Sequence, residues 1–195
     1  KMKQTGGYAY CNPSFSEMDL LSLVNKLDNC KTQGASSARS FIQDWSTLRE
    51  EPVVQQLVYD ASIRMVADQY LGCDAVLNMV TAWKTSYVHE SIHNTSSDAM
   101  LFHFDADHNR FLKIFVYLTD VGPREGPHVF VPRTSSPYRE QLPAGLQRDG
   151  RFSNIEVARL GLIPAIITGT KGTLIFADTH CLHRGTRVTE NHSRY

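Results

Sequence analysis

The chain has 195 residues and carries 20 basic and 20 acidic side chains, so its formal charge at neutral pH is zero. That length suits one domain with a substantial core, the balanced charge argues against nucleic acid as a partner, and no run of eighteen apolar residues is present to span a bilayer. Lys1-Met2-Lys3-Gln4 has no apolar stretch behind it and does not read as a signal peptide, and Cys11, Cys30, Cys73 and Cys181 are too widely spaced for a finger, which predicts reduced thiols and a cytoplasmic setting.

In chain order, the first seventy-two residues read as mostly helical. Ser14 and Glu17 form a capping box ahead of Leu20, Leu21, Val24 and Leu27, which fall on one helical face. Thr32 to Ser40 is small and polar and reads as a loop. Pro52 opens a second helix carrying Val54, Leu57, Val58, Ala61 and Met65, which Gly72 ends. After Gly72 the period shortens. Apolar runs at Ala75–Trp83, Met100–Asp105, Phe111–Thr119, His128–Pro132, Ile163–Thr168 and Thr173–Ala177 alternate with turn residues, and one helix opens at the capping pair Ser153 and Glu156. The pattern predicts a mainly β single domain over residues 1–195, with 1–72 as helical support and 73–195 as a jelly-roll core.

The chemistry concentrates in Leu101-Phe102-His103-Phe104-Asp105. On an extended strand alternate side chains share a face, so His103 and Asp105 point the same way and form half of a metal site. A jelly roll lays a late strand beside an early one, so a histidine from the segment Gly172 to Gly185 completes the set. His180 and His183 compete for that place. Arg194 follows His183 by eleven residues, enough for a strand end, a turn and a return strand, and this spacing favours His183. It also sets a guanidinium deep in the pocket, where its planar fork suits the far carboxylate of a diacid. Two histidines and a carboxylate on one face of a metal leave three positions open, the arrangement associated with oxygen-activating iron(II), although zinc accepts the same ligands.

The run from His103 through Arg110-Phe111-Leu112-Lys113-Ile114-Phe115 to Gly126-Pro127-His128-Val129-Phe130-Val131-Pro132, followed by Asp178 to Gly185 and Arg194, resembles the phytanoyl-CoA dioxygenase family. The resemblance covers residues 75 to 195 and, more faintly, the helical start. It implies a double-stranded β-helix of the cupin-like jelly-roll type. It also implies iron(II), 2-oxoglutarate as co-substrate and O2, with hydroxylation of a small organic substrate and release of succinate and CO2. By the same match His103, Asp105 and His183 are the ligands and Arg194 the co-substrate clamp. Phe115 stands where the family places an aromatic wall, and Lys84 and Lys113 are candidates for a second cation in the pocket, Lys113 reading equally as a solvated edge lysine. Two features depart from the family. Arg133-Thr134-Ser135 replaces its usual Gly-Ser-His, and only one residue follows Arg194, so either the sequence is trimmed or the last strand is very short.

The rival motif is His89-Glu90-Ser91-Ile92-His93, the zinc-hydrolase pattern, which works only on a helix where both histidines meet one turn apart. Ser86, Val88, Ile92 and Asn94 to Asp98 make a poor helix, and the segment reads as a loop at the pocket mouth. His108 and His128 read as surface or rim residues, His180 as adjacent to the site, and Cys181 as a small packing residue. A binding module built on the same jelly roll, with or without metal, is the non-enzymatic alternative; a buried arginine and carboxylate count against a metal-free one. Asp105 argues against a halogenase, because it fills the position that a halide needs. No CoA or nucleotide motif identifies the substrate.

Overall fold

The structure is a computed structural model and describes residues 6–29, 39–42, 44–87, 100–105, 110–135, 142, 144–146 and 150–195. His89, Glu90 and His93, together with Cys30, His108 and most of the loop expected over 32–40, lie outside the described residues.

Strand β1 (Tyr8–Cys11) comes first and is followed by helix α1 (Glu17–Asp28), so the N-terminal third is not purely helical. Ser16, not Ser14, is the N-cap of α1, and its side chain makes no capping hydrogen bond. The buried stripe is Leu20, Leu23 and Leu27, whereas Leu21 is 47% exposed. Positions i, i+3 and i+7 make a narrower face than the sequence pattern suggested. Strand β2 (Arg39–Ile42) replaces the end of the expected loop, and a single turn, α2 (Trp45–Leu48), is capped by Asp44.

The expected long helix is two helices, α3 (Pro52–Tyr59) and α4 (Ala61–Leu71). The break is Asp60, in extended conformation, whose carboxylate accepts from the Ser62 and Ile63 amides at 2.8 and 2.9 Å. Gly72, at φ 72°, closes α4 in the left-handed conformation that favours glycine. Asp60→Ala should therefore cost about 1 kcal/mol of stability, the usual value of an N-cap. A urea midpoint unchanged by the substitution would show that the cap contributes nothing.

Strand β3 (Ala82–Ser86) occupies only the end of the expected run 75–83, and Val76 earlier in that run is 87% exposed. Next come β4 (Lys113–Val116) and β5 (His128–Phe130), then α5 (Asn154–Arg159) with the expected Ser153–Glu156 capping box, and finally β6 (Ala165–Ile167), β7 (Leu174–Ala177), β8 (His183–Gly185) and β9 (Ser193–Arg194). The run 100–105 forms only isolated bridges, Phe102 with Phe152 and His103 with His183.

Antiparallel pairing gives three ribbons, ordered β1-β7-β4, β2-β3-β9 and β6-β5-β8. The Leu118 amide donates to the Tyr195 carbonyl at 3.2 Å, tying the end of β4 to β9. The first two ribbons thus form one wall of a jelly roll and the third forms the other. Alternation along each strand separates outside from inside. On β7, Leu174 and Phe176 pack outward with Ile63 of α4, while Ile175 and Ala177 face inward with Tyr117 and Phe130. On β5, Val129 packs outward with Val157 of α5, and Phe130 faces in. Helices α1, α2 and α3 cover β2 and β3, with Leu27, Leu48 and Val53 in one cluster with Ile42 and Ala82. The helical layer therefore fixes one wall from outside and leaves the interior to the site.

Candidate metal centre

Among the described residues, one cluster has metal-ligating character: His103, Asp105 and His183, whose ligand atoms lie within 4.8 Å of one another. The backbone places it. His103 and His183 exchange amide-to-carbonyl hydrogen bonds at 2.9 and 3.0 Å, and the Asp105 amide donates to the Thr179 carbonyl at 3.0 Å. His103 Nε2 is 3.6 Å from Asp105 Oδ1, His183 Nε2 is 3.5 Å from Asp105 Oδ2, and the imidazole centroids are 4.4 Å apart.

Second contacts orient both rings. His103 Nδ1 lies 2.9 Å from the Leu101 carbonyl, and His183 Nδ1 lies 2.9 Å from the Cys181 carbonyl. A carbonyl only accepts, so each Nδ1 carries the hydrogen and each Nε2 turns a lone pair toward Asp105. The charge states also suit a ligand set. Burial, then the neighbouring His103, pushes His183 down to about 4, and burial lowers His103 as well. For Asp105, burial opposes ionisation, but His183 and the Lys113 ammonium outweigh it and hold the carboxyl below its usual range. At neutral pH the site offers two neutral imidazoles and one carboxylate, the protonation that metal binding requires.

These shifts make the metal-free protein acid-sensitive. Unfolded His183 takes up a proton near its ordinary 6.5, but folded His183 only near about 4, so the unfolded state binds more protons between those values. Stability should fall as pH drops from 6.5 towards 4, by as much as about 3 kcal/mol, with no contribution from this group above 6.5. Denaturant midpoints of chelator-treated protein at pH 7, 5.5 and 4.5 test this, and a flat profile would contradict it.

The remaining expected residues separate. Arg194 is 2% exposed and pairs across β9 and β3 with the buried Thr85. Trp83, on the same face of β3 as Thr85, meets Phe115 edge-on, so this register sets Arg194 on the interior face of the wall. Two of its nitrogens, Nε and Nη1, make no hydrogen bond among the described residues, although the side chain has other interactions. Phe115 faces the same interior, its ring 4.7 Å from His128 and edge-on to Trp83 at 5.9 Å. Lys113, two residues before it on the same face, binds Asp105 Oδ2 at 2.6 Å and so stands beside the triad. Lys84 does not enter the pocket. It falls between Trp83 and Thr85 on the opposite face of β3, where it pairs with Asp28 of α1 at 2.6 Å and lies over the Tyr195 ring. His180 turns away to Asp178 at 3.1 Å and packs against Phe111. Cys181 is buried with its Sγ against the Gly6 carbonyl. Sequence reasoning set His128 at the rim and passed over Trp83, Thr85 and Tyr117 as site residues; the two-residue alternation 83/85, 113/115/117 and 128/130 was the available signal.

No protein-family model matches the sequence, and a search of curated proteins found no match. Solved structures do match. HygX from Streptomyces hygroscopicus, with nickel, 2-oxoglutarate and hygromycin B bound, is similar with a TM-score of 0.62 at 13% identity, over 99% of this chain and 81% of that one. The chain shares its fold. The non-heme alpha ketoglutarate dependent epimerase SnoN from nogalamycin biosynthesis gives a TM-score of 0.63 at 16% identity, over 98% and 76%. EctD from S. alaskensis, with 2-oxoglutarate and 5-hydroxyectoine, gives 0.56 at 19% identity, over 97% and 70%. The jelly roll expected from the strand pattern is therefore the observed architecture.

Proposed function

We propose that residues 1–195 form one iron(II)- and 2-oxoglutarate-dependent oxygenase domain that oxidises a C–H bond of a small organic substrate, with the phytanoyl-CoA dioxygenases as the family it most resembles in its motifs. The observation that carries this reading is the pairing of an oriented His103–Asp105–His183 triad with a buried arginine on the interior face of the same barrel. Two nitrogens and one oxygen, presented from one side, fit iron(II) and leave positions for a bidentate 2-oxo acid. Arg194, 2% exposed on the interior face, offers a planar guanidinium fork of the kind that suits the distal carboxylate of a diacid.

On this reading His103, Asp105 and His183 hold the metal, and Lys113 steadies the Asp105 oxygen that it contacts. Arg194 grips the distal carboxylate of the co-substrate. Phe115, Trp83 and Phe130 wall the interior and keep water from the reacting centre. When bound, iron with 2-oxoglutarate and O2 supplies the oxidising power, releasing succinate and CO2; the protein supplies geometry and a dry cavity. HygX was solved with hygromycin B and EctD with 5-hydroxyectoine, which supports a small polar organic substrate here rather than an acyl-CoA. No helix among the described residues is long and apolar enough to cross a membrane. The test is iron stoichiometry combined with succinate release over a panel of small polar substrates. Iron bound without 2-oxoglutarate turnover on any of them would favour the binding-module reading.

A further inference from the structure

We infer that His128 is a second recognition group for the distal carboxylate of the co-substrate, shared with Arg194; the inference rests on the oxygenase reading above. His128 and Phe130 occupy the inward face of β5, because Val129 between them packs outward. Phe130 stacks on the metal-site residue His183 at 5.7 Å. His128 is therefore one side-chain step, roughly 7 Å, beyond Phe130 along the same wall. Its ring meets Phe115 at 4.7 Å and lies nearly parallel to Tyr117, with centroids 6.0 Å apart and an interplanar angle of 9°. Its amide donates to the Tyr117 hydroxyl at 3.2 Å, and the strand carrying Arg194 runs beside Tyr117, where the Leu118 amide donates to the Tyr195 carbonyl at 3.2 Å. The imidazole thus faces the same interior as Phe130 on one side and the wall that carries Arg194 on the other.

The two groups approach from opposite walls, Arg194 from β9 beside β3 and His128 from β5 between β6 and β8. A carboxylate offers about four acceptor positions, and a guanidinium fork fills two of them. An imidazole carries an N–H in either tautomer and can fill another. The flanking rings of Phe115 and Tyr117 hold His128 in one orientation, so little side-chain entropy is lost on binding. The consequence is selectivity: a 2-oxo acid with a distal carboxylate gains from His128, and one of equal length without it gains nothing.

Anaerobic titration of the iron(II) protein with 2-oxoglutarate and with 2-oxopentanoate, followed by visible absorption, tests this. His128→Leu and His128→Phe keep the volume and lose the donor. Each should weaken 2-oxoglutarate binding by about tenfold while 2-oxopentanoate stays within about twofold, and iron content should not change. His128→Gln, which keeps an N–H, should recover most of the loss. Equal losses for both acids, or none for 2-oxoglutarate, would overturn the inference and leave His128 as a packing residue. Absence of a chelate band in the unmodified protein would instead overturn the oxygenase reading, and the role of His128 with it.

Discussion

His183→Ala is expected to abolish stoichiometric iron(II) binding, weakening it by well over a hundredfold. Loss of partners that only orient a ligand typically costs about 10–100-fold in metal affinity, and loss of the ligand itself exceeds that. His183 is buried, its Nδ1–H is anchored to the Cys181 carbonyl, and its Nε2 faces Asp105 at 3.5 Å; among the described residues only His103 and Asp105 join it in the cluster. His103→Ala and Asp105→Ala should behave alike, because each removes one of three donors. His180→Ala is the control: its ring engages Asp178 and Phe111 and contributes no atom to the cluster, so metal content should stay at the unmodified level. Equilibrium dialysis against iron(II), with circular dichroism to establish that each variant folds, measures this. Metal loss in His180→Ala with retention in His183→Ala would reverse the assignment.

Arg194→Ala should leave iron binding intact and raise the 2-oxoglutarate concentration needed for half-saturation by about a hundredfold. Two charge-assisted hydrogen bonds from one fork contribute roughly 1.5–3 kcal/mol each, and a hundredfold requires only about 2.7 kcal/mol. Arg194 is not in the ligand cluster, and its register with Thr85 sets it on the interior face of another wall, so the effects on metal and on co-substrate should separate. Arg194→Lys should fall between, since an ammonium keeps the charge without the fork. The readout is again the iron(II) chelate band under anaerobic conditions. An unchanged half-saturation point in Arg194→Ala would remove this residue from the co-substrate site.

These expectations rest on features of very different legibility. The members of the candidate metal cluster were readable because their signals are local or carried by residue type. His103 and Asp105 share a face whenever the backbone is extended, and it is extended there even though residues 100–105 form only isolated bridges. The Ser153–Glu156 box and the Gly72 stop depend on neighbours within a few residues, and both are present. Where a local rule had competitors, it failed. The box proposed at Ser14 gave way to Ser16, and the helix drawn through Asp60 broke because that carboxylate caps the following turn.

What the chain determines by itself, then, is the extended His-x-Asp pair, the spacing from His183 to Arg194, the helix stops and the succession of short strands that specifies a jelly roll. Tertiary structure alone decided which face of each strand looks inward. Lys84 and Lys113 are equally lysines on short strands, yet one meets Asp28 under the helical layer and the other meets Asp105 at the triad. His128 read as a surface or rim residue; pairing with β6 and β8 leaves it half-buried and sets its ring against Phe115 and Tyr117. The strands β1 and β2 were hidden in the region read as helical because four residues carry too little periodicity to announce a strand. Their conformation comes from the partners β7 and β3, far along the chain, and only folding brings those hydrogen bonds within reach.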